Sequence, residues 1–389
     1  MKKNILRIAL YCSIVYTAGA LELTVPEFNF GVSAGKQPAA EKISIAQEAS
    51  VNFRLLHGER FYSDLGTALY IPDIIRFFYP QQQARSFGQC AFTHFSLNFL
   101  QLGGRPVRLS FFTGSHPSLT GARYNFEFLK YGIRPVRMHD NELAGSFLPP
   151  DAQENVGISF AGRVSNTVYL GGSVGWNAQL KDEQEYGVYM QGGSFSNTVL
   201  TNTYASVHIT DMAKEISLDT ALSLLFAIHN NFSIFMQTGL HKTNLRTPAL
   251  KTALTDNMFI FFEPRVHTVH MNFDFTFFAS KRNNRYAPFP MLPLLKPVGT
   301  AYNGLYGGLN IFCGFGTMEA DKMQGGFHFL AATNIKNIKD ISALLLAATP
   351  FFTVNIGPCD FDVRLFVYPL AYTTPLSMFE GKVALKRNL

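Results

Sequence analysis

Hydrophobic and polar residues alternate along most of this chain with a period of two. In the segment 269–277 the even positions are polar, and the odd positions hold Val, Met or Phe. The same alternation marks the segments 91–99, 156–164, 168–176, 216–224 and 360–367. Successive side chains of a strand point to opposite faces, so the pattern predicts strands with one apolar face. Many segments run about 10 residues, the length that crosses a bilayer at a tilt, whereas strands of soluble sandwiches are usually about 5 to 6 residues long.

Further segments bring the number of predicted strands to roughly 17. These are 27–33, 50–56, 61–71, 105–114, 185–193, 198–210, 232–241, 302–315, 325–332, 341–356 and 377–389. An extra short strand at 258–262, turning at Glu263-Pro264, makes the number even, as is usual for bacterial single-chain barrels. We therefore predict 16–18 strands, with 14 as the alternative. A separate alternative is that the segment 341–348 is helical, because its apolar run alternates poorly.

The connections between these strands are alternately short and long. With the first strand pointing outward, the short turns near 57–58, 103–104, 165–166, 194–196 and 230–231 all lie on the periplasmic side. The long connections at 72–88, 115–155 and 281–300 then lie on the external side. Transmembrane barrels combine short periplasmic turns with longer external loops. The chain is therefore predicted to form a single all-β, antiparallel transmembrane β-barrel over residues 21–389.

The composition agrees with a chain that contacts lipid. Hydrophobic residues make up 47% of the 389 residues and charged residues only 15%, against about 25% charged residues in typical soluble domains. No apolar run of about 18 residues follows the N-terminal segment, so helical membrane spans are not predicted. A closed barrel satisfies every backbone polar group in lipid. The alternative is a secreted soluble β-sandwich or propeller.

The first 20 residues have the pattern of a cleaved secretory signal peptide. Lys2 and Lys3 precede an apolar stretch, and the small residues 18–20 predict cleavage after Ala20. Without Lys2, Lys3 and Arg7 the net charge falls from +6 to +3, with 30 basic and 27 acidic residues. That charge is too small to predict nucleic-acid binding. The three remaining cysteines are widely spaced and form no Cys/His motif, so neither a metal nor a cofactor is predicted.

The C-terminal segment keeps apolar or small residues at alternate positions close to the chain end. These are Phe379, Gly381, Val383, Leu385 and Leu389. Together with the alternation along nearly the whole mature chain, this ending resembles bacterial outer-membrane barrels, the general porins and the FadL-type long-chain fatty acid transporters. Here Arg387 interrupts the register, and Leu389 stands where that class usually has an aromatic residue. The resemblance implies an outer-membrane location.

If the apolar face contacts lipid, the polar face lines the interior. Ionisable residues inside a membrane tend to face a water-filled cavity and to mark a solute path. The candidate lumen-lining residues are Arg54, Asp64, His94, Arg108, Arg163, His208, Asp219, His270, Asp274, Asp362 and Arg364, with His229 and His328 as further positions. Both signs of charge occur, so strong ion selectivity is not predicted. The alternative is that these residues neutralise one another in a plugged interior.

The connection 115–155 mixes charged and aromatic residues. Porins fold such a loop into the lumen, where it forms a charged constriction. The candidate constriction residues are Arg123, Glu127, Lys130, Arg134, Arg137 and Asp140. The alternative is an ordinary surface loop that is open to immune or phage contact.

Three functions are consistent with these features of the sequence. The first is passive uptake of small solutes through the lumen, and the second is transport of a hydrophobic ligand such as a fatty acid. The second is favoured by phenylalanines assigned to the inward face, namely Phe92, Phe112, Phe278, Phe312 and Phe366. The third is a structural or adhesive surface barrel with a plugged lumen. No G-x-S-x-G motif occurs, so an enzyme is not predicted. The expected partners are outer-membrane lipids and a small solute or lipid ligand, with a homo-oligomer left open.

Overall fold

Nearly every described segment is an antiparallel strand. The computed structural model describes residues 21–36, 43–58, 60–71, 89–100, 107–117, 152–165, 167–177, 185–210, 215–281, 305–318, 320–335, 344–369 and 379–388. The predicted signal peptide lies outside these ranges, as do the connections 72–88 and 282–300 and the six candidate constriction residues.

The strand order follows the chain. The strands are β1 (Leu21–Lys36), β2 (Ile43–His57), β3 (Phe61–Ile71), β4 (Gln89–Leu100), β5 (Val107–Pro117), β6 (Ala152–Arg163), β7 (Val168–Asn177), β8 (Glu185–Phe195), β9 (Val199–Thr210), β10 (Glu215–His229), β11 (Phe232–Asn244), β12 (Met258–His267), β13 (Met271–Lys281), β14 (Leu305–Phe315), β15 (Met323–Asn334), β16 (Leu345–Ile356), β17 (Cys359–Val367) and β18 (Phe379–Asn388). One short helix, α1 (Leu250–Asn257), lies between β11 and β12. No helix in the described ranges is long and apolar enough to cross a membrane.

The eighteen strands form one closed barrel. Each strand pairs antiparallel with the next, and β1 closes the barrel by pairing with β18. The predicted single antiparallel barrel is therefore confirmed at the upper end of the 16–18 range, and the 14-strand alternative is wrong. The helical alternative for 341–348 is wrong for its described strand residues, because β16 pairs with β15 from Leu345 onward.

The barrel is polar inside and apolar outside. On β6, Ile158 and Phe160 are exposed on the outer face, whereas Ser159 and Ala161 are buried on the inner face. The same alternation continues around the barrel, with buried polar side chains inside and large exposed apolar side chains outside. A soluble sandwich buries its apolar faces instead, so the observed polarity is that of a barrel whose outer face contacts lipid.

The two ends of the barrel differ in their connections. At one end, the short-turn rim, the connections include 58–60, 196–198, 230–231, 268–270 and 357–358. At the other end, the loop rim, lie the long connections and α1. The turn predicted at Glu263-Pro264 is wrong, because β12 continues to His267 and turns at 268–270. The predicted 115–155 loop is also shorter, since Pro117 pairs with Ala152.

Hydroxyl side chains stabilise two of the short turns. Both turns have the sequence Ser-Asn-Thr-Val, at 165–168 and at 196–199. Oγ of Ser165 accepts hydrogen bonds from the backbone N–H groups of Thr167 and Val168, at 3.2 and 3.1 Å. Ser196 accepts the equivalent bonds at 3.4 and 3.0 Å. A serine at the first position therefore satisfies backbone donors that the turn leaves without a strand partner.

A bulge in β4 reverses the faces of part of that strand. Gly66 of β3 lies opposite His94, but the next residue, Thr67, lies opposite Phe92, so Thr93 is the extra residue. Gly114 of β5 adjoins this bulge with a φ of +83°, and a Cβ there would lie 2.2 Å from the Thr93 carbonyl oxygen. Because of the bulge, Phe92 points outward and is 53% exposed. Its predicted place on the inner face is wrong.

Candidate functional site

The inner face of the barrel carries the candidate functional residues in separate groups. On β2–β5, Nε of Arg54 lies 2.7 Å from Oδ1 of Asp64, and its guanidinium lies 4.5 Å from the centre of the Tyr62 ring. Arg108 donates to Oδ1 of Asn98 from Nη2 at 2.7 Å and from Nε at 3.0 Å. These residues lie near the short-turn rim and are held by each other across adjacent strands.

A second group lies on β8–β11 near the loop rim. Nδ1 of His208 lies 2.8 Å from Oε1 of Glu185, and its Nε2 lies 3.4 Å from Oδ2 of Asp219. The other oxygen of Asp219 lies 2.9 Å from Nδ1 of His241. Two carboxylates and two imidazoles therefore alternate across four adjacent strands. Within the described ranges, no three His, Cys, Asp or Glu side chains are placed to hold a metal ion.

The most deeply buried ion pair among the described residues lies on β12. Nε of Arg265 donates to Oε1 of Glu263 at 2.6 Å, and the hydroxyl of Thr276 on β13 donates to the other carboxylate oxygen. The Arg265 guanidinium lies 4.6 Å from the centre of the Phe235 ring. Toward the short-turn rim, Nε2 of His267 lies 2.5 Å from a carboxylate oxygen of Asp274. Sequence reasoning missed the Glu263–Arg265 pair because it assigned Glu263 to a turn.

A fourth group crosses the seam where the barrel closes. Nε of Arg364 donates to Asp362 at 2.8 Å, and Nζ of Lys386 lies 3.9 Å from the same carboxylate. Nζ of Lys382 on β18 donates to Oε1 of Glu48 on β2 at 2.6 Å. The strand between them, β1, has Gly31 at this level, and a Cβ there would lie 3.0 Å from Glu48 Oε1. The absence of a side chain at Gly31 therefore gives Glu48 room to reach β18.

Neutral hydrogen-bonding residues cross β7–β11, and we call this set the amide row. It consists of Tyr169, Gln191, Asn202, Ser223 and Gln237. Oδ1 of Asn202 accepts bonds from the Tyr169 hydroxyl at 2.9 Å and from Nε2 of Gln191 at 3.1 Å. Nε2 of Gln237 donates to the Ser223 hydroxyl at 2.9 Å.

An apolar patch adjoins the amide row on the same inner face. This interior aromatic cluster contains Tyr189, Tyr204, Phe235, Phe259, Phe261 and Phe278, with Leu330 packed among them. Tyr204 lies directly opposite Gln191 in the β8–β9 ladder, and Phe261 lies directly opposite Gln237 in the β11–β12 ladder. A row of hydrogen-bonding groups and a set of apolar rings therefore lie side by side on the inner face.

Most of the predicted lumen residues occupy inward positions. These are Arg54, Asp64, His94, Arg108, Arg163, His208, Asp219, Asp274, Asp362, Arg364 and His328. His270 does not, because it lies in the 268–270 turn, where its side chain is 69% exposed and Nδ1 is 2.9 Å from Asp321. His229 is likewise exposed at the short-turn rim. Whether the inward residues act on a solute stays a prediction.

Of the five phenylalanines predicted to point inward, Phe92 points outward and the other four lie on the inner face. Phe112, Phe278 and Phe312 are buried on the inner face, and Phe366 shares its face with Glu380. The ring of Phe312 stacks on that of Phe351 with centroids 5.5 Å apart. Sequence reasoning missed Gln191 and Gln237, although both fall on the polar positions of alternating segments and could have been found there.

Comparison with known proteins gives a likeness of fold. No protein-family model matches the chain, and no curated protein sequence matches it significantly. Wzi of Escherichia coli, an outer-membrane protein involved in group 1 capsule assembly and a carbohydrate-binding β-barrel, has a TM-score of 0.54 at 10% identity, covering 99% of this chain and 87% of Wzi.

Two porins are similar at lower scores. A mutant Rh. blastica porin has a TM-score of 0.44 at 9% identity, with coverage of 95% of this chain and 100% of the porin. OmpF of Salmonella typhi, in complex with daunomycin, has 0.45 at 8%, with coverage of 94% and 97%. The chain has the fold of bacterial outer-membrane β-barrels.

Proposed function

We propose that this protein is an outer-membrane channel for the passive uptake of small polar solutes. The observation that carries the proposal is the polarity of the closed barrel, with hydrogen-bonding and charged side chains inside and apolar side chains outside. Interiors of this kind hold water in transmembrane barrels. An eighteen-stranded barrel also has a circumference that leaves room for an aqueous path.

The inward charges support a path with weak ion selectivity. Arg54, Arg265, Arg364 and Lys382 each lie within hydrogen-bond distance of an inward carboxylate. Opposite charges at such short range cancel much of each other's field at a distance. A permeating ion therefore meets little net charge, and a small neutral solute meets a wall of hydrogen-bonding groups.

Planar-bilayer recording of the purified protein tests this proposal. We expect stable ohmic steps with a reversal potential close to zero in a salt gradient. Asp362→Asn leaves the charges of Arg364 and Lys386 uncompensated, so the reversal potential should shift toward anion selectivity. Lys382→Gln removes the cation beside Glu48, so the shift should have the opposite sign.

One result would contradict the channel function: a protein that inserts into the bilayer, shows heat-modifiable gel migration and yet never conducts. A second result would contradict only the position of the path. If both variants conduct with the reversal potential of the parent protein, the charged seam between β17, β18 and β2 lies away from the path.

The interior aromatic cluster favours one second candidate, a barrel that transports a hydrophobic ligand. Phe259, Phe261 and Phe278 are buried on the inner face near the loop rim, where an apolar molecule entering from outside would meet them first. Native mass spectrometry of the detergent-extracted protein separates the two functions. Co-purified lipid at a fixed ratio would favour the hydrophobic ligand, and its absence would favour the polar solute.

A further inference from the structure

Two cationic side chains on the inner wall near the barrel seam keep hydrogen-bond donors without acceptors. Arg364 on β17 donates from Nε to Oδ2 of Asp362 at 2.8 Å. Nζ of Lys386 on β18 lies 3.9 Å from the same oxygen, which is too long for a hydrogen bond. Among the residues that the structure describes, Nη1 and Nη2 of Arg364 and Nζ of Lys386 have no acceptor. Several N–H groups are therefore available to a ligand.

These donors lie where a solute can reach them. The side chains of Arg364 and Lys386 are 36% and 37% exposed, whereas those of Glu263 and Arg265 on β12 are 1% and 4% exposed. The carboxylate that the two cations share is buried, because the side chain of Asp362 is only 5% exposed. The two cations therefore extend from a buried carboxylate toward the lumen.

The charges next to Lys386 leave one positive charge without a counterion. They belong to Arg364, Asp362, Lys382 and Glu48. Lys382 and Glu48 are paired with each other at 2.6 Å, so they add no net charge. Arg364 and Lys386 share the single carboxylate of Asp362. The remaining positive charge favours an anion at the free donors.

Two further carboxylates of the seam are turned away from these donors. Asp360 lies directly opposite Lys386 in the β17–β18 ladder, but it accepts a hydrogen bond from Nδ2 of Asn355 on β16 at 3.0 Å and is not ion-paired with Lys386. Glu380 lies beyond Lys382 toward the loop rim, and the charge next to it is that of Lys382. The seam as a whole is thus nearly neutral, in keeping with weak ion selectivity, while the donors of Arg364 and Lys386 act at short range.

The spacing of the two cations suits a group with several oxygen atoms. Nε of Arg364 and Nζ of Lys386 lie 2.8 and 3.9 Å from one oxygen of Asp362, so they are at most 6.7 Å apart. Hydrogen bonds between cations and oxyanions are about 2.8 Å long, so two oxygens of one small anion can bridge such a gap. The guanidinium fork also matches the geometry of carboxylate and phosphate groups.

We propose that Arg364 and Lys386 form a binding site for a small oxyanion, the carboxylate or phosphate group of a permeating solute. Nη1 and Nη2 of Arg364 donate to two oxygens of the anion, and Nζ of Lys386 donates to the same group. Asp362 positions the guanidinium from the Nε side and leaves its outer edge free. This inference rests on the proposed channel function and names the class of its solute.

Calorimetry in detergent and current recording in a planar bilayer test the inference on the purified barrel. The probes are succinate and inorganic phosphate, and succinamide, which has the carbon chain of succinate without its charge, is the control. We expect at least one of the two anions to bind and to reduce the single-channel current in potassium chloride. Succinamide should bind at least about tenfold more weakly, because it makes no charge-assisted hydrogen bonds. Binding of succinate alone would assign carboxylates to the site, and binding of phosphate alone would assign phosphates.

Variants locate the site. Arg364→Gln and Lys386→Gln each remove one cation and keep a polar inward side chain. Each should weaken anion binding at least about tenfold, the ratio that one charge-assisted hydrogen bond produces. Lys251→Gln is the matched control, because Lys251 is an exposed residue of α1 at the loop rim, and this variant should bind the anion as the parent does. Heat-modifiable migration shows that each variant still forms the barrel.

The outcomes separate the inference from the proposed function. If the channel conducts but neither succinate nor phosphate binds, the inference is wrong and the channel function stands. The inference is also overturned if Arg364→Gln and Lys386→Gln bind the anion as tightly as Lys251→Gln does, since the anion would then bind elsewhere. A barrel that binds the anion through these two residues but never conducts overturns the channel function alone.

Discussion

The ion pair between Glu263 and Arg265 offers a quantitative test of whether charged side chains are buried and packed on the inner wall of this barrel. The two side chains are 0% and 3% exposed, and Nε of Arg265 lies 2.6 Å from Oε1 of Glu263. Glu263→Leu removes the carboxylate and leaves the guanidinium on the inner wall over the Phe235 ring. The Thr276 hydroxyl loses its acceptor in the same variant.

The expected loss is large because a buried charge without its counterion is costly. Breaking a buried ion pair by removing one partner typically destabilises a protein by about 3–5 kcal/mol. Replacing both partners with apolar residues is often neutral or stabilising. The double variant Glu263→Leu/Arg265→Leu should therefore recover most of the stability that Glu263→Leu loses, a coupling of at least about 2 kcal/mol.

Urea unfolding of the barrel in lipid vesicles, followed by heat-modifiable gel migration, measures these free energies. Glu215→Gln serves as a control, because Glu215 is exposed at the loop-rim end of β10 and its replacement should leave the midpoint near that of the parent. If Glu263→Leu unfolds at the parent midpoint, or if the double variant is as unstable as the single one, the pair is solvated. The premise that the inner wall excludes water from this ion pair would then be wrong.

Three further predictions concern the outer face, the packing of the inner face and the turns. Leu222→Arg places a charge on the lipid-facing side of β10 and should cost about 2–4 kcal/mol in the same unfolding assay; an unchanged midpoint would mean that this face does not contact lipid. Gly193→Ala brings a Cβ within 2.4 Å of a backbone oxygen and should cost about 1–3 kcal/mol, whereas Gly381→Ala, which meets nothing within 4 Å, should cost far less. The hydrogen bond from His270 lowers the pKa of Asp321 below its usual 3.8. The stabilisation of the fold that accompanies this lowered pKa is complete above pH 3.8 and is lost as the pH falls through the lowered pKa. The parent barrel should therefore lose stability below about pH 4, and Asp321→Asn should abolish that part of the loss. The same dependence of stability on acid pH in parent and variant would contradict this prediction.

The sequence by itself determined the architecture and the polarity of this protein. A two-residue period is a local property, so segments such as 156–164 show which side chains share a face without knowledge of the partner strand. The alternation of short and long connections, completed by the added strand at 258–262, indicated an even strand number. Serine and glycine at the short turns are likewise local signals, because they satisfy turn donors and allow positive φ.

The tertiary structure decided which inward residues meet. The extra residue Thr93 turns Phe92 outward. The Glu263–Arg265 pair was not predicted, because the sequence pattern placed a turn at Glu263-Pro264 where β12 continues. Both features depend on the pairing register, which is set between strands and not within one. The amide row needs the joint register of β7 to β11, and the contact between Lys382 and Glu48 needs the closure of β1 on β18. Such contacts join residues up to 334 positions apart, and no local pattern encodes them because their partners approach only when the barrel closes.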